Sequence, residues 1–245
     1  MVARGDVRAD QAVIVYMDEI SHEKLGQPLN APWDRSVHAR LVDRLTDAGA
    51  RAVVFDIAFR DPNPDKAAAD DLLAKSFRRN GRVILAADCI RIGEKANRVE
   101  PPFELVRNAA ADFGSDELVP DPDLVVRQHT ARGDSPISAL SWVVAAFCGA
   151  KSAKDEGQEN RPRWMNYYGA PNFIRWTSYF EALDPSSVAD EFFRNKVVLI
   201  GARILTKFSG DRKDEYRNPY SFWLSEQMKR EQQALFMPGD RKSVV

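Results

Sequence analysis

Hydrophobic runs of strand length recur along the chain and are separated by amphipathic stretches. The segments AVIVYM at 12–17, AVVFDIAF at 52–59 and RVILAA at 82–87 are nearly continuous in apolar residues. Such runs are typical of strands that are buried on both faces of a parallel sheet. A fourth run, NKVVLIGA at 195–202, predicts a strand that closes the domain.

The stretch between the first two strands predicts a helix with one apolar face. Val37, Leu41 and Leu45 fall at helical spacing and form a single stripe. Asp34 precedes the stripe and is a suitable N-cap, because its carboxylate can accept from the free N–H groups of the first turn. Gly49 follows the stripe at the position where helices commonly end.

A second amphipathic helix is predicted at about residues 66–79, with Asp65 as its cap and Gly81 at its end. Its inner side is predicted to carry Ala69, Leu72 and Phe77. The resulting βαβαβ order implies right-handed crossovers. The fold class that follows is α/β, with an open, mixed but mostly parallel sheet and helices on both faces.

The middle and the end of the chain are less regular. Hairpin strands are predicted around Pro120–Asp123, and an apolar helix at 136–149 with Pro136 in its first turn. Residues 203–245 form a charged extension in which a helix is plausible at 221–236. We interpret residues 1–245 as one domain with its core at about 11–202.

Composition excludes several classes of protein. The 245 residues contain 44% hydrophobic and 29% charged residues, as in an ordinary globular protein. With 35 basic against 36 acidic residues, the net charge of −1 gives no electrostatic reason to expect a nucleic acid partner. No apolar run reaches the roughly 18 residues that a membrane-spanning helix needs.

Reactive and metal-binding residues are few. Cys89 and Cys148 lie in or beside apolar runs, so either two buried thiols or one disulfide is compatible with the sequence. The three histidines are dispersed, which argues against a zinc site. The phosphate-binding, zinc-protease, nucleophile-elbow and CxxC motifs are all missing. We therefore expect no cofactor, no metal and no catalytic residue.

The strongest candidate chemistry is a set of carboxylates at the predicted strand ends. Asp18 and Glu19 follow the first strand, Asp56 lies near the end of the second, and Asp88 follows the third. Ligands of open α/β sheets bind outside the carboxyl ends of the strands, and carboxylates gathered there could hold Mg²⁺. The alternative is structural, since acids at strand ends often cap helices or accept from loop N–H groups.

The first helix adds two polar side chains to the same edge. Arg35 and His38 belong to its first turns, and an arginine there is suited to pair with Asp56 or Asp18. These four residues, Asp18, Arg35, His38 and Asp56, are the candidate ligand-binding set. The alternative is an ion pair that fixes the loop, and Trp33 is predicted to anchor the same loop.

The order of these segments resembles the CHASE2 family of extracellular sensor domains. The specific stretches are PWDRSVHARLVDRLTDAGARAVVFDIAFRDPNPD at 32–65 and KVVLIG at 196–201. Weaker matches include VIVYMDEIS, GRVILAAD, SPISALSWVVAA and MNYYGAP, so the resemblance covers about residues 11–202. It continues faintly to the MPG at 237–239, where a charged insertion departs from the family's pattern.

The resemblance implies the ectodomain of a membrane receptor on the periplasmic or extracellular face. Such domains are flanked by transmembrane helices and lead to a cytoplasmic cyclase or kinase. The implied partners are an unknown small ligand and a second copy of the chain, held through flanking or tail segments.

Two alternatives stay open. One is a Mg²⁺-dependent phosphoacceptor domain similar to a response-regulator receiver, with Asp56 as the acceptor. The other is a dimerisation module that binds no small ligand and uses Phe222 and Trp223 as its surface.

Overall fold

The computed structural model of the protein describes residues 9–29, 31–92, 96–133, 135–154, 160–165, 167 and 174–204. Its strands are β1 (Ala12–Asp18), β2 (Ala52–Ala58), β3 (Val83–Ile92), β4 (Ala96–Glu100), β5 (Asp112–Ser115), β6 (Gln128–His129), β7 (Arg163–Trp164), β8 (Trp176–Ser178) and β9 (Val197–Arg203). Its α-helices are α1 (Glu19–Leu25), α2 (Arg35–Asp47), α3 (Ala67–Asn80), α4 (Glu104–Arg107), α5 (Leu140–Phe147) and α6 (Tyr179–Ala182).

Seven of the strands form one mixed sheet in the order β4-β3-β2-β9-β1-β8, with β5 also paired to β3. Every pairing in this sheet is parallel except that of β3 with β4. The closing strand β9 lies between β1 and β2, so the last described strand occupies the centre of the sheet. The predicted fold class is confirmed.

Both faces of the sheet are covered by helices. The larger apolar cluster joins Val53 and Phe55 of β2 to Leu41 of α2 and Phe77 of α3. A smaller cluster on the other face joins Val54 of β2 to α5. Alternate residues of β2 therefore point to different helices, as the two-residue period of a strand requires.

The ends of α2 confirm the sequence prediction. The Asp34 carboxylate accepts from the Ser36 N–H at 2.9 Å, and Gly49 follows the helix with φ of +74°. Lys66 also donates to Asp34 at 2.8 Å. Because Lys66 and Ser36 both favour the charged form, the pKa of Asp34 falls to about 2.

The start of α3 differs from the prediction. Asp65 does not cap the helix, because it lies inside a 3₁₀ turn at Pro64–Lys66 whose cap is Asn63. Leu72 is 42% exposed, and Leu73 packs in the core instead. Phe77 is buried as predicted.

The hairpin of the sheet is formed by β3 and β4, and β3 is longer than predicted. Residues Pro120–Asp123 form part of a turn instead of paired strands, with the Leu124 N–H donating to the Asp121 carbonyl. The apolar helix begins at Leu140, four residues after Pro136, which is therefore outside its first turn. The predicted helix at 221–236 lies outside the described residues.

Candidate functional site

Asp18 ends β1 and caps α1. One carboxylate oxygen accepts from the Ser21 N–H at 2.9 Å, and the other accepts from the Ser178 hydroxyl at 2.5 Å. Ser178 ends β8, so this single carboxylate connects the carboxyl ends of two neighbouring strands to the first turn of a helix. The adjacent α1 was not predicted, because its seven residues carry no clear apolar stripe.

Arg35 binds Asp70 instead of the predicted Asp56 or Asp18. Its Nη1 lies 2.5 Å from Oδ1 of Asp70, and the two side chains are 10% and 3% exposed. The other Asp70 oxygen accepts from the Asn63 N–H at 2.8 Å, and Arg35 also donates to the Asp61 carbonyl. These contacts tie α2 and α3 to the loop that follows β2.

His38 lies in the core of the domain. Its ring is 2% exposed, and its Nδ1 is 2.8 Å from the Tyr179 hydroxyl. Burial, reinforced by the nearby Arg35 charge, lowers its pKa to about 3, so the ring is neutral at physiological pH. Trp33 stacks on it at 5.9 Å and donates to His22, which confirms Trp33 as a loop anchor.

Asp56 lies on the opposite face of the sheet from Arg35 and His38. It is two residues after Val54, which belongs to the apolar cluster under α5, whereas His38 contacts Phe55 on the α2 face. Asp56 is paired in register with Gly201 of β9. A Cβ placed on Gly201 would lie 3.6 Å from the Asp56 Cβ, with only Asp56 atoms of the described residues within 4 Å.

The four predicted residues are therefore divided between different environments. Arg35 and His38 stabilise the α2 side of the domain, and Asp18 joins the ends of two strands. Asp56 faces the space beside Gly201 on the α5 side. Of the four, Asp18 and Asp56 remain at the carboxyl edge of the sheet, one strand to either side of β9.

Arg203, the last residue of β9, was not among the predicted site residues. Its guanidinium carbon lies 5.0 Å from the ring centre of Tyr16 and 5.1 Å from that of Trp176. Its Nε is buried and has no hydrogen-bond partner within the described part of the chain. Arg203 pairs in register with Asp18 and stands two residues after Gly201, on the same face. The alternation within VVLIGAR was the signal that could have placed it there.

The carboxylates at the strand ends form no metal centre in the part of the chain that the structure describes. No three His, Cys, Asp or Glu side chains there come together closely enough to hold an ion. Asp88 binds Arg60 at 2.6 Å. Cys89 and Cys148 are both free thiols and half-buried, so the disulfide alternative is wrong.

Comparison with protein families identifies the chain. The family model described as the CHASE2 domain matches residues 1–239 of the 245 residues, and the chain therefore belongs to the CHASE2 family. Neither the curated proteins nor the solved structures contain a match. CHASE2 domains are extracellular sensor domains, so the role of this domain is sensory and not catalytic. Within the described residues, no helix is long and apolar enough to cross a bilayer.

Proposed function

We propose that this chain is the extracytoplasmic sensor of a membrane-bound signalling protein and that it binds a small polar ligand at the carboxyl edge of its sheet. Transmembrane helices and a cytoplasmic cyclase or kinase complete the receptor. Asp18, Asp56 and Arg203 contact the ligand, whereas Arg35 and His38 hold α2 and its loop in position.

The space beside Gly201 is the main support for the binding proposal. A Cβ placed on Gly201 of the central strand would lie 3.6 Å from the Asp56 Cβ and 3.8 Å from its Oδ2, so the glycine keeps a side chain out of the space beside Asp56. Arg203 stands on the same face with an unsatisfied Nε, and Asp18 is its register partner. Two carboxylates and a guanidinium at one edge provide both acceptors and donors for a polar ligand.

The position of β9 suggests how binding reaches the membrane. This strand hydrogen-bonds to both β1 and β2, and it ends at Arg203, from which the chain continues into residues 204–245. A ligand that binds Arg203 favours one arrangement of the end of β9. Differential affinity for two arrangements is what allows a ligand to shift a conformational equilibrium.

A thermal-shift screen of the purified chain against metabolites, nucleotides, peptides and divalent ions tests the binding proposal. A ligand that binds the folded state raises Tm by mass action. We expect at least one compound to raise Tm, and Arg203→Gln to reduce that shift. Protease treatment of right-side-out vesicles tests the location, since an extracytoplasmic domain is cleaved from outside.

A second copy of the chain is the proposed protein partner, held through the flanking or tail segments. Phe222 and Trp223 lie in the tail and outside the described residues. Light scattering of the purified chain at increasing concentration tests this proposal. A mass of one chain at every concentration would contradict it.

A further inference from the structure

A polar cavity opens at the β5 end of the same edge. Its volume is about 280 Å³, and it lies between the end of β5 and the segments that contain β6 and the turn before it. Ser115, Glu117, Gln128, His129, Thr130 and Arg132 are among its lining residues. This volume is slightly below the roughly 300–1,000 Å³ of pockets for drug-sized ligands, so it suits a small molecule.

Hydrogen bonds hold the polar lining in place. The Ser115 hydroxyl accepts from the Glu117 N–H at 3.2 Å, which positions the backbone of Glu117 directly after β5. The Arg132 Nη2 donates to the Pro136 carbonyl at 2.7 Å, which fixes one side of its guanidinium. The first of these hydrogen bonds uses the backbone N–H of Glu117 and leaves its carboxylate for other partners. The second uses one nitrogen of the Arg132 guanidinium and leaves its remaining N–H groups for other partners.

The cavity contains one acid and one base that are not neutralised by described neighbours. Asp121 also lines it, but its carboxylate binds Arg127 at 2.6 Å. Burial lowers the pKa of His129, whose Nε2 lies 2.7 Å from the Ser141 hydroxyl, so this ring is neutral at pH 7. Glu117 and Arg132 form no ion pair with another side chain of the described residues.

We infer that this cavity binds a free α-amino acid, and the inference rests on the proposed sensory function. The Glu117 carboxylate accepts from the ligand ammonium, and the Arg132 guanidinium donates to the ligand carboxylate. Charge-assisted hydrogen bonds of this kind are stronger than neutral ones. Gln128 and Thr130 supply neutral donors and acceptors for the ligand side chain.

The lining also disfavours other ligand classes. Apart from the imidazole of His129, no aromatic ring belongs to the described lining, which disfavours a nucleobase held by stacking. A phosphate ester would place about two negative charges beside the Glu117 carboxylate, and Arg132 is the one cationic side chain among the described lining residues. A zwitterion matches one carboxylate and one guanidinium without a net charge.

Titration calorimetry of the full chain with each standard amino acid tests the inference. Any amino acid that binds is then compared with its N-acetyl and carboxamide derivatives, which remove one ligand charge each without changing the protein. We expect each derivative to bind at least tenfold more weakly. Glu117→Gln is expected to weaken binding of the parent amino acid by a similar factor, and so is Arg132→Gln.

Glu191 and Arg194 provide matched controls. They form an exposed ion pair at 3.6 Å, with side chains 75% and 61% exposed, near a 3₁₀ turn outside the cavity lining. Glu191→Gln and Arg194→Gln change the same charges and should leave the affinity unchanged. Because the derivative series uses the unaltered protein, the test remains decisive if a cavity variant fails to fold.

Three results overturn the inference. These are no binding of any amino acid at millimolar concentration, equal binding of the N-acetyl and carboxamide derivatives, and unchanged affinity in both cavity variants. The sensory proposal fails separately, if amino acids bind here but the full-length receptor in membranes gives no change in output. A receptor that responds only to another class of ligand overturns the amino-acid inference and leaves the sensory role intact.

Discussion

His38 and Tyr179 form a hydrogen bond in the core, with 2.8 Å between Nδ1 and the hydroxyl oxygen, although they are 141 positions apart in the sequence. The bond connects α2 to α6. Both side chains are buried, so protein groups replace water as their partners, and the Tyr179 hydroxyl also lies 3.5 Å from the Val37 carbonyl.

Replacing Tyr179 by phenylalanine should therefore destabilise the domain. The change removes one hydroxyl and leaves His38 Nδ1 without this partner, which costs about 1–3 kcal/mol for a buried group. Urea denaturation measures the difference in the free energy of unfolding. Ser186→Ala, which removes a hydroxyl from an exposed loop, is the control and should change stability little. Wild-type stability in Tyr179→Phe would contradict a structural role for this bond.

His38 should also make the domain sensitive to mild acid. Its pKa falls from 6.5 to about 3 on folding, so protons favour the unfolded chain. As far as His38 is concerned, the free energy of unfolding is highest above pH 6.5, where the ring is neutral in both the folded and the unfolded chain. It falls as the pH drops from 6.5 towards 3. The loss approaches about 1.4 kcal/mol per pH unit in that window.

Denaturation between pH 7 and 4 measures this dependence, and His38→Asn should flatten it. His129→Gln should also flatten it, because partial burial lowers the pKa of His129 and its contribution has the same sign. An NMR titration in which the His38 ring of the folded wild type protonates near pH 6.5 would contradict the prediction.

Removing either partner of the Arg35–Asp70 ion pair should strongly destabilise the domain. Arg35→Ala leaves a buried carboxylate without its cation, a change that costs about 3–5 kcal/mol in comparable cases. The exposed pair of Arg79 with Asp47, 2.5 Å apart with side chains 50% and 63% exposed, is the control. Arg79→Ala should cost much less, because solvent screens an exposed pair. Equal losses in the two variants would mean that burial of the Arg35 pair has no effect.

Two glycines of the sheet should respond differently to alanine. At Gly114 a Cβ would lie 2.7 Å from the Leu140 Cα and 2.9 Å from the Leu140 nitrogen, so α5 would have to move. We expect Gly114→Ala to destabilise the domain by about 1–3 kcal/mol through overpacking. Gly201→Ala meets only Asp56 at ordinary contact distance, so it should leave Tm close to wild type while obstructing the proposed ligand. A large loss of Tm in Gly201→Ala would show that the space beside Asp56 is already filled.

The sequence was informative where local chemistry determines the structure. The cap at Asp34, the apolar stripe of α2 and the runs that became β1, β2 and β9 depend on residues close in the chain, and all were predicted. The displaced start of α3 was not, because Asn63 and Pro64 form a turn that competes with Asp65 as the helix start.

The side-chain partners at the candidate site depend on distant segments, and sequence alone gave no basis for them. Arg35 has acidic residues available at several strand ends, and only the packing of α3 beside α2 selects Asp70. The position of β9 between β1 and β2 likewise determines that Gly201 and Arg203 lie between Asp18 and Asp56. Arg203 belongs to no motif, and Gly201 is marked only as the last residue of KVVLIG.

Titration calorimetry of the strongest thermal-shift hit tests whether the ligand binds at the carboxyl edge of the sheet. The comparison uses wild type, Asp56→Asn, Gly201→Ala, Glu117→Gln and the exposed control Glu191→Gln. We expect the control to bind as wild type and at least one of the three edge variants to lose tenfold or more in affinity. Asp56→Asn and Gly201→Ala report on the edge around β9, and Glu117→Gln reports on the cavity beside β5. Unchanged affinity in all three variants would contradict binding at this edge.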